Sequence, residues 1–265
     1  MILDIDFDFF VKETVFHDFA YQESKLFMQA IWDIRFMSAY SNPCGEPVDL
    51  TREFIFDNIA MNEILDFVKK CSCVKNWAVS DSHLFAYKYI ENYSVHSSLN
   101  RVNRADGIVH IDRHSDYDTL RDEINAGNWL RYIKENVNRE IPIYWIPQSK
   151  NDLYVDKESV RKAMKIKNRI FLKSLNPLNI EHIYLCRSSA WVPPWLDSAY
   201  FKFQGELEKL FGVPIHFYPI PKDREWNYEK IMKHSLGERR AIMESWSRRT
   251  EDINNTKENI NNTKE

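Results

Sequence analysis

His110, Asp112, His114 and Asp116 recur at every second position in the stretch Gly107-Ile108-Val109-His110-Ile111-Asp112-Arg113-His114-Ser115-Asp116-Tyr117-Asp118. Its apolar, β-branched lead-in reads as a buried strand, and alternate residues of a strand share one face. Four polar or ionisable side chains on one buried face are costly to desolvate unless something compensates them. A divalent metal is the compensating partner these residue types fit. The bland alternative is a strand end entering a polar loop, its histidines and aspartates pairing among themselves.

A second row opens the chain. In Ile2-Leu3-Asp4-Ile5-Asp6-Phe7-Asp8-Phe9-Phe10 the strict alternation puts Asp4, Asp6 and Asp8 on one face of an expected strand. Crowded carboxylates repel one another, and a cation would relieve them. The two rows read as halves of one site. Carboxylate and imidazole ligands without thiolate favour manganese or a similar hard ion over structural zinc. The ligand count exceeds what one ion with room for substrate needs, so two ions sharing aspartates are expected, activating water for attack on a carbon centre.

The rest of the chain must position these rows. At 265 residues with 44% hydrophobic and 14% aromatic content it can bury a sizeable core. A formal charge of -3 gives no basic excess for nucleic acid. Six glycines and no G-x-G-x-x-G or P-loop pattern argue against a phosphate cradle. The four cysteines, Cys44, Cys71, Cys73 and Cys186, form no disulfide framework and read as reduced thiols of a cytoplasmic protein. Met1 leads straight into an acidic strand where a signal peptide would be basic, and no apolar run suits a membrane span.

Short apolar strands alternate with helical stretches, the pattern of an α/β three-layer sandwich around a mainly parallel sheet. Strands are expected at 76–79, 141–146, 182–186 and 213–218, and helices at 22–40, from Thr51 to Lys70, to Val137, at 197–210 and from Trp226 toward Arg249. Residues 150–180 suit a peripheral excursion. Asp81 and Ser82 offer caps that would set His83 at a helix start at the mouth of the sheet. After the strand at 182–186, Arg187-Ser188-Ser189-Ala190-Trp191-Val192-Pro193-Pro194-Trp195 makes a stiff loop suited to substrate contacts or to a rigid turn packed by tryptophans. Residues 1–250 are expected to form a single catalytic domain, and the polar near-repeat of 251–265 a disordered tail.

On these residues the chain resembles the arginase and ureohydrolase superfamily. His110-Ile111-Asp112-Arg113-His114-Ser115-Asp116 is similar to its Asp-x-His-x-Asp signature, Ser80-Asp81-Ser82-His83-Leu84-Phe85-Ala86 to its Gly-Gly-Asp-His-Ser segment, and Asp4-Ile5-Asp6-Phe7-Asp8 to its Asp-x-Asp strand. With the 188–195 loop, the likeness is greatest to the peptide arginases, which convert arginine to ornithine within ribosomally made peptides. The resemblance implies an arginase-like fold with rearranged connectivity, since ordinary arginases place the Asp-x-Asp strand after the other two segments. It implies one manganese ion on His83, Asp112, Asp116 and Asp6, and a second on His114, Asp8, Asp112 and Asp6, with Asp112 and Asp6 bridging.

Ala126-Gly127-Asn128 resembles the family's Ser-Gly-Asn substrate loop, but Trp129 and Leu130 stand where a proton-shuttling histidine is expected. Asp116 and His110, with Asp4 nearby, are the candidates for moving the proton to the departing amine. Asn128, Ser188, Ser189 and Trp191 are candidate substrate contacts, and Glu23 the candidate guanidinium carboxylate. The expected partner is a precursor peptide; nucleic acid and membrane are not, and oligomeric state is left open. Two other classes remain: an arginase-like deacetylase or amidohydrolase with the same metal logic, and a metal-stabilised binding module with saturated coordination. A haloacid-dehalogenase-type phosphotransferase could claim Asp6-Phe7-Asp8 but would leave His83 and His114 without work.

Overall fold

The computed structural model describes residues 1–13, 32, 35–36, 49–94, 106–119, 122–149, 157–217, 220–222, 224 and 226. The expected helices at 22–40 and beyond Trp226, together with the 251–265 tail, lie outside these residues apart from isolated positions. The strands in chain order are β1 (Ile2–Asp6), β2 (Val11–Glu13), β3 (Phe54–Phe56), β4 (Asn76–Ser80), β5 (Ile108–Ile111), β6 (Ile143–Ile146), β7 (Lys165–Ile166), β8 (His182–Cys186) and β9 (Ile215–His216). Seven of them form one sheet in the order β7-β6-β5-β1-β8-β4-β9, every pairing parallel. β2 and β3 form a separate antiparallel pair.

Both faces of the sheet are covered, which makes the α/β three-layer sandwich expected from the alternation. Leu3 and Ile5 of β1, Val79 of β4, Val109 and Ile111 of β5, and Ile183 and Leu185 of β8 share a core cluster with helices α1 (Asn58–Val68) and α4 (Asp197–Phe211). Residues of opposite parity, Ile2, Ala78, Ile108 and Tyr184, share another with α2 (Ala86–Ser94) and α3 (Trp129–Tyr132). Period-2 patterning explains why the central strands read as nearly unbroken apolar runs: each face meets its own helix layer.

Three expectations need correction. The strand opening the chain stops at Asp6, and Phe7–Phe10 forms a 3-10 turn instead. The Asp6 side chain starts that turn by accepting from the Asp8 backbone N–H at 3.1 Å. Phe7, Phe9 and Phe10 all enter the core, a demand that alternation cannot meet. The helix expected from Thr51 to Lys70 is interrupted: a turn at Leu50–Glu53 gives way to β3, and α1 starts only after Asp57 caps Ala60 at 2.9 Å. Residues 150–180 are less peripheral than expected, because β7 extends the sheet by pairing with β6.

Because the sheet is parallel, the carboxyl ends of β1, β5, β8 and β4 emerge along one edge. After β4 the chain leaves one half of the sheet and enters the other at β5, across the central β1 and β8. That is the kind of crevice where open α/β sheets hold ligands.

Candidate metal centre

Register sets the floor of the site. Asp4 of β1 lies level with His110 of β5 and Tyr184 of β8, and Asp6 lies level with Cys186. In a parallel pair, level residues face the same side, so Asp4, His110 and Tyr184 form one layer and Asp6 and Cys186 the next, nearer the strand ends. β5 itself ends at Ile111. Asp112, His114 and Asp116 therefore stand in the loop that follows, correcting the single-strand reading of that row. The loop is tied down as Asp112 accepts from the His114 backbone N–H at 2.6 Å and Trp145 donates its indole N–H to the Asp112 carbonyl at 3.0 Å.

His83 is the first residue of a 3-10 turn capped by Ser82, whose hydroxyl accepts from the Leu84 N–H at 3.2 Å. Its Nδ1 faces three carboxylate oxygens, Asp6 Oδ2 at 2.9 Å, Asp116 Oδ2 at 3.0 Å and Asp112 Oδ2 at 3.1 Å. One N–H proton cannot serve three acceptors. A second convergence lies beside it: His114 Nδ1 is 3.0 Å from Asp8 Oδ2 and 3.7 Å from Asp112 Oδ1. Asp112 thus presents one oxygen to each histidine.

The donor set fits divalent ions. Both carboxylate oxygens of Asp8 and Oδ2 of Asp112 are buried without a well-formed hydrogen bond, with the His114 and His83 rings 3.0 and 3.1 Å from Asp8 Oδ2 and Asp112 Oδ2. This arrangement is costly for crowded carboxylates unless positive charge lies among them. Ligand atoms of His83, Asp112 and Asp116 lie within 4.8 Å of one another, as do those of Asp8, Asp112 and His114. A further group, Asp6, His83 and Cys186, brings in a thiol that the sequence reading had left out of the site. Its even parity on β8 was the available signal, readable only once β8 is known to neighbour β1.

The electrostatics are those of crowded acids relieved by bound protons. Burial and the adjacent Asp8 charge push the Asp6 carboxyl up to about 6, and burial with the Asp116 and Asp8 charges holds Asp112 well above the ordinary carboxylate range. Burial opposes ionisation of Asp8 too, but the His114 charge outweighs it and draws its pKa down. Burial likewise opposes a charged His83, yet Asp4, Cys186 and Asp6 carry its pKa well above the usual histidine range. Burial also works against a charged His114, and the Asp8 carboxylate overcomes it and raises that pKa.

Supporting contacts surround these groups. Asp4 accepts from His83 Nε2 at 3.0 Å and pairs with His110 Nδ1 at 2.6 Å. The Trp129 indole N–H donates to Asp116 Oδ2 at 2.5 Å, and the Ser188 hydroxyl donates a short hydrogen bond to Asp6 Oδ2. Tyr184 stacks parallel to the His83 ring, centroids 6.1 Å apart. Behind Ser188, Arg187 forks onto both oxygens of Asp81 at 2.7 Å and reaches Asp197 at 3.0 Å. Asp81 was expected to cap a helix with Ser82, but its carboxylate is claimed by Arg187. Arg224 continues the network from Asp197 to the Ser189 and Val192 carbonyls.

The structure therefore brings together all six expected metal ligands, Asp6, Asp8, His83, Asp112, His114 and Asp116. Asp6 joins the His83 group through Oδ2 while its Oδ1 holds the Asp8 N–H. Of the expected substrate contacts, Trp191 stands at the rim, its ring 4.9 Å from that of the partly exposed His114. Ser188 touches Asp6. Ser189 is wholly buried, its carbonyl accepting from Trp32 and Arg224, so it shapes the loop. Asn128 is turned into its own loop, accepting from the Asn125 N–H at 2.7 Å and donating to the Glu123 carbonyl at 2.9 Å. Glu23 lies outside the described residues. His110, a proton-transfer candidate, is fully buried, with one ring nitrogen on Asp4 and the other 3.1 Å from the His114 carbonyl.

The fold and site define an α/β protein with a buried cluster of histidines and carboxylates able to hold metal at the carboxyl edge of a parallel sheet. No protein-family profile, curated protein or solved structure matches the chain. Among the described residues no helix is long and apolar enough to cross a membrane.

Proposed function

We propose that the chain is a dinuclear-manganese hydrolase that converts peptidyl arginine to peptidyl ornithine with release of urea, in the maturation of a ribosomally made peptide. The observation that carries the metal part of this reading is the sharing of Asp112, which offers Oδ2 to the His83 group and Oδ1 to the His114 group. Two cations held there would supply Lewis acidity and an activated water at neutral pH.

The chain's own residues have separate tasks. His83, Asp6, Asp112 and Asp116 would hold one ion, and His114, Asp8 and Asp112 the other. Trp129 and Ser188 each donate a hydrogen bond to a ligand carboxylate and so fix its orientation. Trp191 sets an aromatic face beside His114 at the open rim, a surface that suits a guanidinium group. In the reaction water adds to the guanidine carbon and the bond to the side-chain nitrogen breaks. Asp116 is the carboxylate we assign to passing a proton to the departing amine. His110, engaged at both ring nitrogens, is a positioning residue.

The arginine substrate is supported by the sequence resemblance, and the amidohydrolase alternative shares the metal logic. Mass spectrometry of arginine peptides incubated with the protein and manganese(II) separates the two. The expected result is a loss of about 42 Da per modified arginine, the mass balance of water-driven urea release. An unchanged arginine peptide beside an acetyl-lysine peptide that loses about 42 Da would replace this reading with a deacetylase on the same metal chemistry.

A further inference from the structure

Asp4 and His110 lie one layer below the six ligands. Both are completely buried. Asp4 divides its oxygens: Oδ1 takes His83 Nε2 at 3.0 Å and Oδ2 takes His110 Nδ1 at 2.6 Å. The other nitrogen of His110 reaches the backbone carbonyl of His114 at 3.1 Å. One unbroken path therefore runs from the ring of His83 through Asp4 and His110 to the main chain of His114, linking the histidine of one ligand group to that of the other.

Hydrogen-bond inventory gives the path a direction. An ionised carboxylate accepts only, so His83 must present a proton on Nε2 to Asp4. When a metal ion replaces the remaining proton, the lone pair it meets is that of Nδ1, the atom facing Asp6, Asp112 and Asp116. The sheet holds the path rigid, since Asp4 and His110 are level partners in adjacent strands. Trp129 closes it from the side, with ring centroids 5.3 Å from His83 and 5.7 Å from His110.

We propose that Asp4 and His110 are a positioning relay that fixes the tautomer of His83 and the placement of His114 together, so that the two ligand groups load metal as a coupled pair. The relay rests on the dinuclear reading above. A carboxylate holding the far nitrogen of a ligand histidine orients the ring and raises its basicity; here one carboxylate does so while bracing a second element through His110.

The test is manganese(II) binding by isothermal calorimetry and metal analysis on the full chain and on Asp4→Ala, Asp4→Asn, His110→Phe and the Asp4→Ala/His110→Phe double variant, with folding followed by circular dichroism. Asp4→Ala and His110→Phe should each weaken manganese binding roughly 10–100-fold, with the double variant no weaker than Asp4→Ala, because both act through one path. Asp4→Asn fills the same space and keeps an oxygen for His83 but loses the charge, so it should stay measurably weaker than the parent, whereas a merely space-filling role predicts parental affinity. Should Asp4→Ala fail to fold, His110→Phe and Asp4→Asn carry the comparison. In the zinc(II)-loaded chain, nitrogen-15 NMR should place the His83 proton on Nε2. Wild-type affinity in His110→Phe, additive losses in the double variant, or a His83 proton on Nδ1 would overturn the relay while leaving the dinuclear reading standing. A wild-type chain that binds no manganese would overturn both.

Discussion

Asp116 and Ser188 hold left-handed backbone conformations, φ 48° and 49°, and among the described residues they are the non-glycine positions that do so. Both direct an oxygen into the same cluster, Asp116 Oδ2 toward His83 Nδ1 and Ser188 Oγ onto Asp6. Strain of this kind persists only where the surroundings over-determine it, and it gathers at functional sites. Asp116 is held by the Leu130 N–H on its carbonyl at 3.1 Å and by Trp129 on its side chain. Ser188 is held as its carbonyl accepts from the Trp191 and Val192 N–H groups at 2.8 and 2.9 Å.

Ser188 separates strain from hydrogen bonding. Ser188→Ala and Ser188→Gly both lose the bond to Asp6, but glycine adopts positive φ freely. Ser188→Gly should therefore be more stable than Ser188→Ala by about 1 kcal/mol in urea unfolding, while both bind manganese more weakly than the parent. Equal stability of the two variants would remove the strain argument.

Trp129 occupies the position after Asn128 where the resemblance led us to expect a histidine. Trp129→Phe keeps the aromatic packing and deletes the N–H that holds Asp116. Metal affinity or turnover should fall roughly 10–100-fold with the fold retained, read by calorimetry alongside the melting temperature. An unaffected Trp129→Phe variant would mean that Asp116 is positioned by its backbone alone.

The shifted carboxylates set a pH dependence. Asp6 is raised to about 6 in the metal-free chain by burial and the Asp8 charge. The folded chain therefore holds this proton more tightly than the unfolded one. Its contribution to metal-free stability is complete below the ordinary carboxylate pKa and is lost as pH rises through about 6. Manganese must displace the proton, so its affinity should climb between about pH 5 and 7, and the rise in melting temperature it produces should be larger at the higher pH. Calorimetry in buffers of different ionisation enthalpy would count the protons released. Binding that is flat across this window would contradict the assigned role of Asp6.

The Arg187 network is a structural support that no local sequence pattern singles out. Its guanidinium is buried between Asp81 and Asp197, and Arg187→Ala would strand the Asp81 carboxylate in the interior while Asp197 keeps Arg224. We expect a loss of about 3–5 kcal/mol in stability, measured by the denaturant midpoint, with the Ser188 loop the first region to lose protection from hydrogen exchange.

The chemistry of the site was more legible in the sequence than its scaffolding. Alternating acids and histidines announced two polar rows, and both converge at the carboxyl edge of the sheet. The strand His182–Cys186 was readable end to end because a parallel strand buried on both faces is a continuous apolar run. Periodicity could not show that β1 stops at Asp6, because the turn is driven by three phenylalanines seeking one core. Nor could it show that Asp81 pairs with Arg187 rather than capping a helix, since that pairing spans 106 residues. The separation of Asp4 from Asp6 and Asp8 depends on β1 lying between β5 and β8, a matter of sheet order that local pattern does not carry.

The most direct measurement on the dinuclear centre is metal content together with electron paramagnetic resonance of the chain reconstituted with manganese(II). The expected result is two ions per chain with the signature of a spin-coupled pair, and loss of that signature in Asp112→Ala with the fold intact by circular dichroism. A single uncoupled ion, or a coupled pair that survives without Asp112, would contradict a centre built on the carboxylate shared between His83 and His114.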